Sequence, residues 1–359
     1  MRRLIFIMNF LNFQVFCKIF NNSESSLFIR HSFILGQQEF RDLMRDARST
    51  RLHAFAKGTY SNLRTQFRCY FGFCVYFQCL PLPANIQIIC AFAQFLSRTL
   101  HPPSVRNYLS GVKMLHIFLG YEYTFNDDFH LRLTVRGIER IHHHVPRRAI
   151  PMTPAILHAI QRLSPTFSSL ERSVFACGLF LFFTMARAGS ILPSSRKTPT
   201  HKFLTRDRVN FSHEGILITL THTKNIQFGR RRLHIPLLAS PSRLCPVAAY
   251  SSSCAILPAH QSTPAFVFSE KNHIKWLTKP IFIHVFRKLI TQAGFPDAIG
   301  YTGHSFRRGG ASWAFQAGMP GEMIQICGDW ASDAYKQYLE FTIENKLDLA
   351  ALLMKGLPY

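Results

Sequence analysis

Apolar residues recur at helical spacing from about position 37 to position 140, and strict alternation appears only in the second half of the chain. The first stretch predicts helices over 42–57, 59–79, 84–100 and 104–119. They are separated by Gly58, by Leu80-Pro-Leu-Pro83 and by His101-Pro-Pro103, and the last is ended by Gly120. In that last helix Ser104 stands where a cap belongs, and Val105, Tyr108, Leu109, Val112 and Leu119 share one face. Arg106, Ser110 and Lys113 share another, which suits either a solvated surface or a helix laid along a phosphate backbone.

Three prolines between Val145 and Pro154 forbid a continuous helix and mark a linker that carries Arg147 and Arg148. Beyond it, residues 155–163 and 170–186 read as helices, the second apolar on every side and so expected to be buried. Gly215–His222 alternates as a strand, Lys224–Arg232 forms a turn, and Leu233–Leu238 returns as a second strand. Helices resume over 281–293, 304–317, 320–327 and 331–340. The fold class expected is mainly α with a small β-sheet (α+β). The organisation expected is a leader of uncertain role (1–36), a helical domain (37–145), a linker (146–154) and a mixed domain (155–359).

Charge turns this outline towards a partner. Of the 359 residues, 42 are Lys or Arg and 19 Asp or Glu, a formal net charge of +23, yet only 17 % of residues are charged at all. The imbalance is a scarcity of acid: none occurs between Asp46 and Glu122, nor from Gly215 to Ser269. Such a chain repels itself unless a polyanion is its working partner, so nucleic acid is the first expectation. Only the C-terminal end reverses the sign, through Glu340, Glu344 and Asp348 among others. The nine cysteines are scattered and form no CxxC pair, as small core residues in a reducing compartment would be. The opening MRRLIFIMNFLNFQVFCKIF is broken by Asn9, Asn12, Gln14 and Lys18, which fits neither a signal peptide nor a spanning helix.

Several chemistries lack their anchor: there is no GxxxxGK[ST], GxGxxG, HExxH or GxSxG. His142–His144 stand together without a Cys or carboxylate at ligand spacing, and read as basic surface beside the linker. What remains is a cationic set in the second domain. His304 and Arg307, in Gly303-His-Ser-Phe-Arg-Arg308, share a face at a helix start. Arg187 ends an apolar helix, where it demands an anion, and Lys224 lies in the hairpin turn. Trp330 precedes Tyr335 and Tyr338, which fall on one face of a helix. Two guanidinium forks suit the two non-bridging oxygens of a phosphate, an imidazole and an ammonium can move protons, and a phenol can be a covalent nucleophile.

In that order and spacing, the set resembles the catalytic domain of the tyrosine recombinases, the phage-integrase family. Leu244-Cys-Pro-Val-Ala-Ala249 and Gly303-His-Ser-Phe-Arg-Arg-Gly-Gly-Ala311 are most similar to the recombinases of eukaryotic mobile elements. The helical domain resembles the family's DNA-clamping domain by pattern, so the likeness spans about residues 37–345. It implies site-specific DNA strand exchange, integration or recombination through a 3′-phosphotyrosine intermediate, without metal, ATP or any cofactor. Tyr338 would be the nucleophile, preferred over Tyr335 for its spacing from Trp330. Arg187 and Arg307 would clamp the phosphate, His304 would deprotonate the tyrosine, and Lys224 would protonate the leaving 5′-oxygen. Trp330 would donate to the phosphate through its indole N–H. Arg64, Arg106, Lys113, Arg147 and Arg148 are the expected DNA-binding cations. The family commonly has an acid three residues after the first arginine, where this chain has Ser190. That departure leaves open a mobile-element protein that binds DNA without cleaving it.

The partners implied are double-stranded DNA and three further copies in a homo-tetramer, with no membrane and no small-molecule substrate. The acidic end, with Phe341, Leu347, Leu349 and Leu352, would be a helix docking on a neighbouring subunit. The expected location is the nucleus in a eukaryote, otherwise the nucleoid.

Overall fold

The computed structural model describes residues 23–125, 128–145, 147–226 and 231–339, with isolated positions between 343 and 354. The chain divides into two compact units, Met1–Pro146 and Arg147–Tyr359. The first contains five helices among its described residues: α1 (Ser23–Leu52), α2 (Lys57–Tyr76), α3 (Ile86–Ser97), α4 (Pro102–Leu119) and α5 (Phe129–Ile141). Their apolar faces close one core through Tyr70, Phe73, Ile89, Phe92, Val105 and Val135, among others. His116, fully buried, ties the helices together: its Nδ1 bonds the Val112 carbonyl (2.8 Å) while Nε2 accepts from the Ala84 amide (3.1 Å).

Three expectations for this unit are corrected. Helix α4 starts two residues before Ser104, with His101 as its N-cap and Pro102-Pro103 in its first turn. Proline supplies a fixed helical φ there and loses no hydrogen bond, so the pair that read as a break begins the helix. Leu119, expected on the buried face, is 55 % exposed because the helix ends beneath it at left-handed Gly120. Helix α3 begins at Ile86, where the Asn85 side chain accepts from the Ile88 amide (2.9 Å).

The second unit is built around α7 (Ser169–Thr184), which follows the short α6 (Pro154–Arg162). A capping box starts α7: the Ser168 hydroxyl accepts from the Glu171 amide, and the Glu171 carboxylate accepts from the Ser168 amide (2.9 Å). Val174, Leu179, Phe180, Leu181 and Phe182 are buried around its whole circumference, as an all-apolar helix requires. Two residues short of the expected end, Thr184 closes α7 and Met185 caps it at φ +50°. Arg187 then caps the single-turn α8 (Ala188–Ile191).

A three-stranded antiparallel sheet follows, with β1 (Val209–Phe211), β2 (Gly215–Leu220) and β3 (Leu233–Leu238) in that order. In the register Leu217 faces Pro236 and Leu220 faces Leu233. The β2–β3 hairpin matches the expected pair of strands, and β1 is an added edge. A second antiparallel pair, β4 (Val267–Glu270) and β5 (His273–Trp276), was not expected, since its tight turn places Lys271 and Asn272 at positive φ without a glycine. Helices α9 (Pro246–Ile256), α10 (Lys279–Gln292), α11 (Gly303–Gln316) and α12 (Gly321–Cys327) complete the unit. The segment expected as helix 331–340 is a 3₁₀ helix over Asp333–Tyr338.

The fold is thus mainly α with small antiparallel sheets. The eight described cysteines are all free. Among the described residues no helix is long and apolar enough to cross a membrane. The acidic terminal segment assigned to docking lies outside the described residues at Glu340, Phe341, Glu344, Asp348, Leu349 and Leu352, and its described Leu347 is exposed.

Candidate active site

Helix α11 organises the site, and its sequence explains how closely it is seated. Thr302 caps it: the Thr302 hydroxyl accepts from the His304 amide (3.1 Å), and Ser305 Oγ accepts from the Thr302 amide (2.9 Å). One turn on, a β-carbon at Gly309 would stand 1.9 Å from the Met152 carbonyl oxygen, and one at Gly310 would stand 2.1 Å from that of Phe182. Only glycine admits so close a backbone approach, so Gly309 seats α11 against Met152 and Gly310 seats it against the end of α7. That contact fixes Arg307, whose Nη1 donates to the Met185 carbonyl at the α7 cap.

Arg307 is 1 % exposed, and its Nε and Nη2 have no hydrogen-bond partner among the described residues. The face of Trp330 lies 3.6 Å below the guanidinium carbon, a cation–π contact. Burial and then the charge of Arg187 press its pKa downwards, while Tyr338 and Asp329 pull it back. A buried cation with two N–H groups unsatisfied is costly by itself and becomes favourable when an anion fills the fork.

Tyr338 closes one side. Its ring lies 5.9 Å from the Arg307 guanidinium, 5.5 Å from Trp330 and 6.5 Å from His304, centroid to centroid for the rings. Its carbonyl accepts from Ser312 Oγ of α11 (2.8 Å), which pins the end of the 3₁₀ helix to the helix carrying the cations. In a 3₁₀ helix residues three apart eclipse, so Tyr335 and Tyr338 point the same way one turn apart. Their surroundings differ: Tyr335 is buried against Gly321 and Trp330, while Tyr338 is half-exposed.

His304 is exposed on one side. Loss of hydration, then the charges of Lys279, Arg307, Arg187 and Lys224, hold its pKa below the usual imidazole value of 6.5. The imidazole is therefore neutral and able to accept a proton near neutral pH. The same coupling places Arg187 and Lys224 in one electrostatic neighbourhood with His304. Lys279, at the start of α10, belongs to it too and was not singled out from the sequence, where nothing but its place in the fold distinguishes it from other lysines.

Exposed Lys224 lies in the β2–β3 loop, and the residues beside it are tied to buried Asp329. Thr223 Oγ1 donates to Asp329 Oδ2 (2.9 Å), Asn225 Nδ2 donates to the Asp329 carbonyl (2.6 Å), and Arg231 forms an ion pair with Asp329 Oδ1. A cavity of about 10 Å³ lies among Arg187, Ser190, Thr223, Arg307 and Asp329. A wider cleft of about 740 Å³ is lined by Arg147, Arg148, His304, Arg308 and Tyr338. Of the expected DNA-binding cations, Arg147 and Arg148 thus adjoin the site within their own unit. In the first unit Arg64 is exposed on α2, and half-buried Lys113 shares a groove of about 740 Å³ with Arg106, Arg132 and Arg136. Arg106 is paired there, its Nε 2.6 Å from Glu139 of α5.

No family model matches the chain, and neither does any curated protein. Solved structures do. The Tn1549 transposon integrase in complex with a circular intermediate DNA superposes at a TM-score of 0.56 and 13 % identity, covering 86 % of this chain and 98 % of that one. A lambda integrase dimer bound to a COC′ core site gives 0.52 and 15 %, covering 94 % and 87 %. The XerH site-specific recombinase bound to palindromic difH substrate gives 0.52 and 14 %, covering 76 % and 73 %. The chain has the tyrosine-recombinase fold.

Proposed function

We propose that the protein cuts and rejoins double-stranded DNA by site-specific strand exchange. The observation that carries this is the buried Arg307 fork, with two N–H groups unsatisfied and Tyr338 beside it. A phosphodiester supplies what that fork lacks, and a phenol at its edge supplies a nucleophile. The similar integrases and recombinase are complexes with DNA, which supports the same partner here.

In this reading Arg307 and Arg187 hold the non-bridging oxygens and offset the charge that grows in the transition state. His304, kept neutral by its cationic surroundings, accepts the phenolic proton as Tyr338 Oη bonds to phosphorus. The bond to the 5′-oxygen breaks, and Lys224 delivers a proton to that oxygen. The phosphotyrosine retains the energy of the phosphodiester, so a second 5′-hydroxyl can reverse the step without a nucleotide. Trp330 supports Arg307 from below. Exposed Arg64, Arg147 and Arg148 add non-specific phosphate contacts. Exchange between two duplexes calls for four copies, the assembly in which an acidic C-terminal segment would meet a basic neighbour.

The test is a pool of nicked duplexes with randomised sequence, incubated with the protein in EDTA and resolved under denaturing conditions. A covalent protein–DNA adduct, lost in Tyr338→Phe, is the expected result. Retention of DNA by the wild type without any adduct would favour the second reading, a DNA-binding protein that does not cleave, for which Ser190 in place of an acid is the motivating residue.

A further inference from the structure

We propose that Asp329 is a positioning residue for strand cleavage, holding the β2–β3 loop so that Lys224 meets the leaving oxygen. The inference rests on the proposed role of Lys224 as proton donor. Lys224 is flanked by the two residues whose side chains bind Asp329: Thr223 donates to its carboxylate (2.9 Å) and Asn225 to its carbonyl (2.6 Å). Arg231, farther along the loop, pairs with the other carboxylate oxygen. Thr223 Oγ1 also accepts from the amides of Asn225 and Ile226, each at 3.1 Å, so the turn around Lys224 is built on the hydroxyl that Asp329 orients.

Asp329 is suited to this place. It is 7 % exposed and adopts φ +54°, a left-handed conformation that Asp and Asn tolerate better than most residues. It immediately precedes Trp330, the support of Arg307, so one residue links the loop of the proton donor to the floor of the phosphate clamp. Its charge also favours the ionised Arg307 against burial and Arg187. Position 190, where the family commonly has an acid, holds a buried serine, and Asp329 lines the same small cavity. The carboxylate of this centre therefore comes from a residue 98–106 positions away from its side-chain partners in the loop.

The proposal predicts a defect specific to the leaving group. Asp329→Asn keeps shape and backbone preference but must lose a bond. The Thr223 hydroxyl already accepts two amides, so an amide nitrogen facing it finds no acceptor, and turned round it faces Arg231 instead. Thr223→Val removes the same link from the other side. Single-turnover adduct formation should be compared on a nicked duplex with an ordinary phosphodiester and on the same duplex with sulfur at the 5′-bridging position, since a thiolate leaves without a proton. Both variants should slow the oxygen substrate by roughly 10- to 100-fold, the scale of a small misplacement of a reacting group, and the sulfur substrate by less than about 3-fold. Lys224→Ala should show the same pattern more strongly.

Equal slowing of both substrates by Asp329→Asn and Thr223→Val, with Lys224→Ala rescued by sulfur, would overturn the role of Asp329 and leave that of Lys224 intact. Unchanged rates in both variants would overturn it as well. Failure of sulfur to rescue Lys224→Ala would remove the proton-donor assignment itself, and with it the inference.

Discussion

Arg106 of the helical unit and Arg307 of the mixed unit both read from sequence as phosphate ligands, and their surroundings are opposite. Arg106 is exposed and already satisfied by Glu139 across the α4–α5 surface. Arg307 is buried against the face of Trp330 and beside Tyr338, with half of its fork unsatisfied. The first contributes to a field that salt screens and neighbouring cations share. The second is a preorganised charge in a site of low dielectric, where one interaction carries far more and has no substitute. Net charge drew attention to both residues; burial and unsatisfied hydrogen bonds distinguish them.

The contrast can be broken most strongly at Arg307. Arg307→Lys loses the fork and should reduce single-turnover cleavage by about 10²–10³-fold, while DNA retention at low salt changes little. A loss below 10-fold would place Arg307 among the merely electrostatic residues. In the DNA-free protein Arg307→Met removes an uncompensated buried charge, so its Tm should equal or exceed that of the wild type; a marked drop would show the guanidinium to be structural.

His304 comes next. His304→Gln should slow cleavage by about 100-fold, as loss of a general base does. Because its pKa is lowered in the folded protein, the neutral form persists below 6.5, and the wild-type rate should fall only as pH drops beneath that value. The linked stability has the same sign: the unfolded chain binds this proton more readily, so stability is present above about 6.5 and declines as pH falls. An imidazole titrating above 6.5 by NMR in the DNA-free protein would contradict the cationic neighbourhood.

The smallest effects belong to the helical unit and sharpen its side of the comparison. Glu139→Ala frees Arg106 and should tighten DNA binding a few-fold, steepening the salt dependence by about one counterion. Stability should change by no more than about 1 kcal/mol, as for an exposed ion pair. No change in the salt slope would mean that this face does not meet phosphate.

The same contrast separates what was legible in the sequence from what was not. The hairpin strands were legible because Ile216, Ile218 and Leu220 alternate over a run that turns only once. The catalytic candidates were legible as residue types in order. The choice between Tyr335 and Tyr338 rested on spacing alone; burial of Tyr335 against Gly321 is a property of tertiary packing. Pro102-Pro103 misled because proline ends one helix and begins another with the same ring. Nothing in the sequence set Asp329 apart, since its partners converge on it only after β2 and β3 fold back beside the Trp330 turn.

The most direct measurement is to digest the covalent adduct formed with the nicked duplex pool and identify by mass spectrometry the peptide that carries the nucleotide. The account predicts a 3′-phosphotyrosine at Tyr338, formed in wild-type protein and absent when Arg307 is replaced by lysine. A nucleotide on Tyr335, or an adduct that survives Arg307→Lys undiminished, would contradict it.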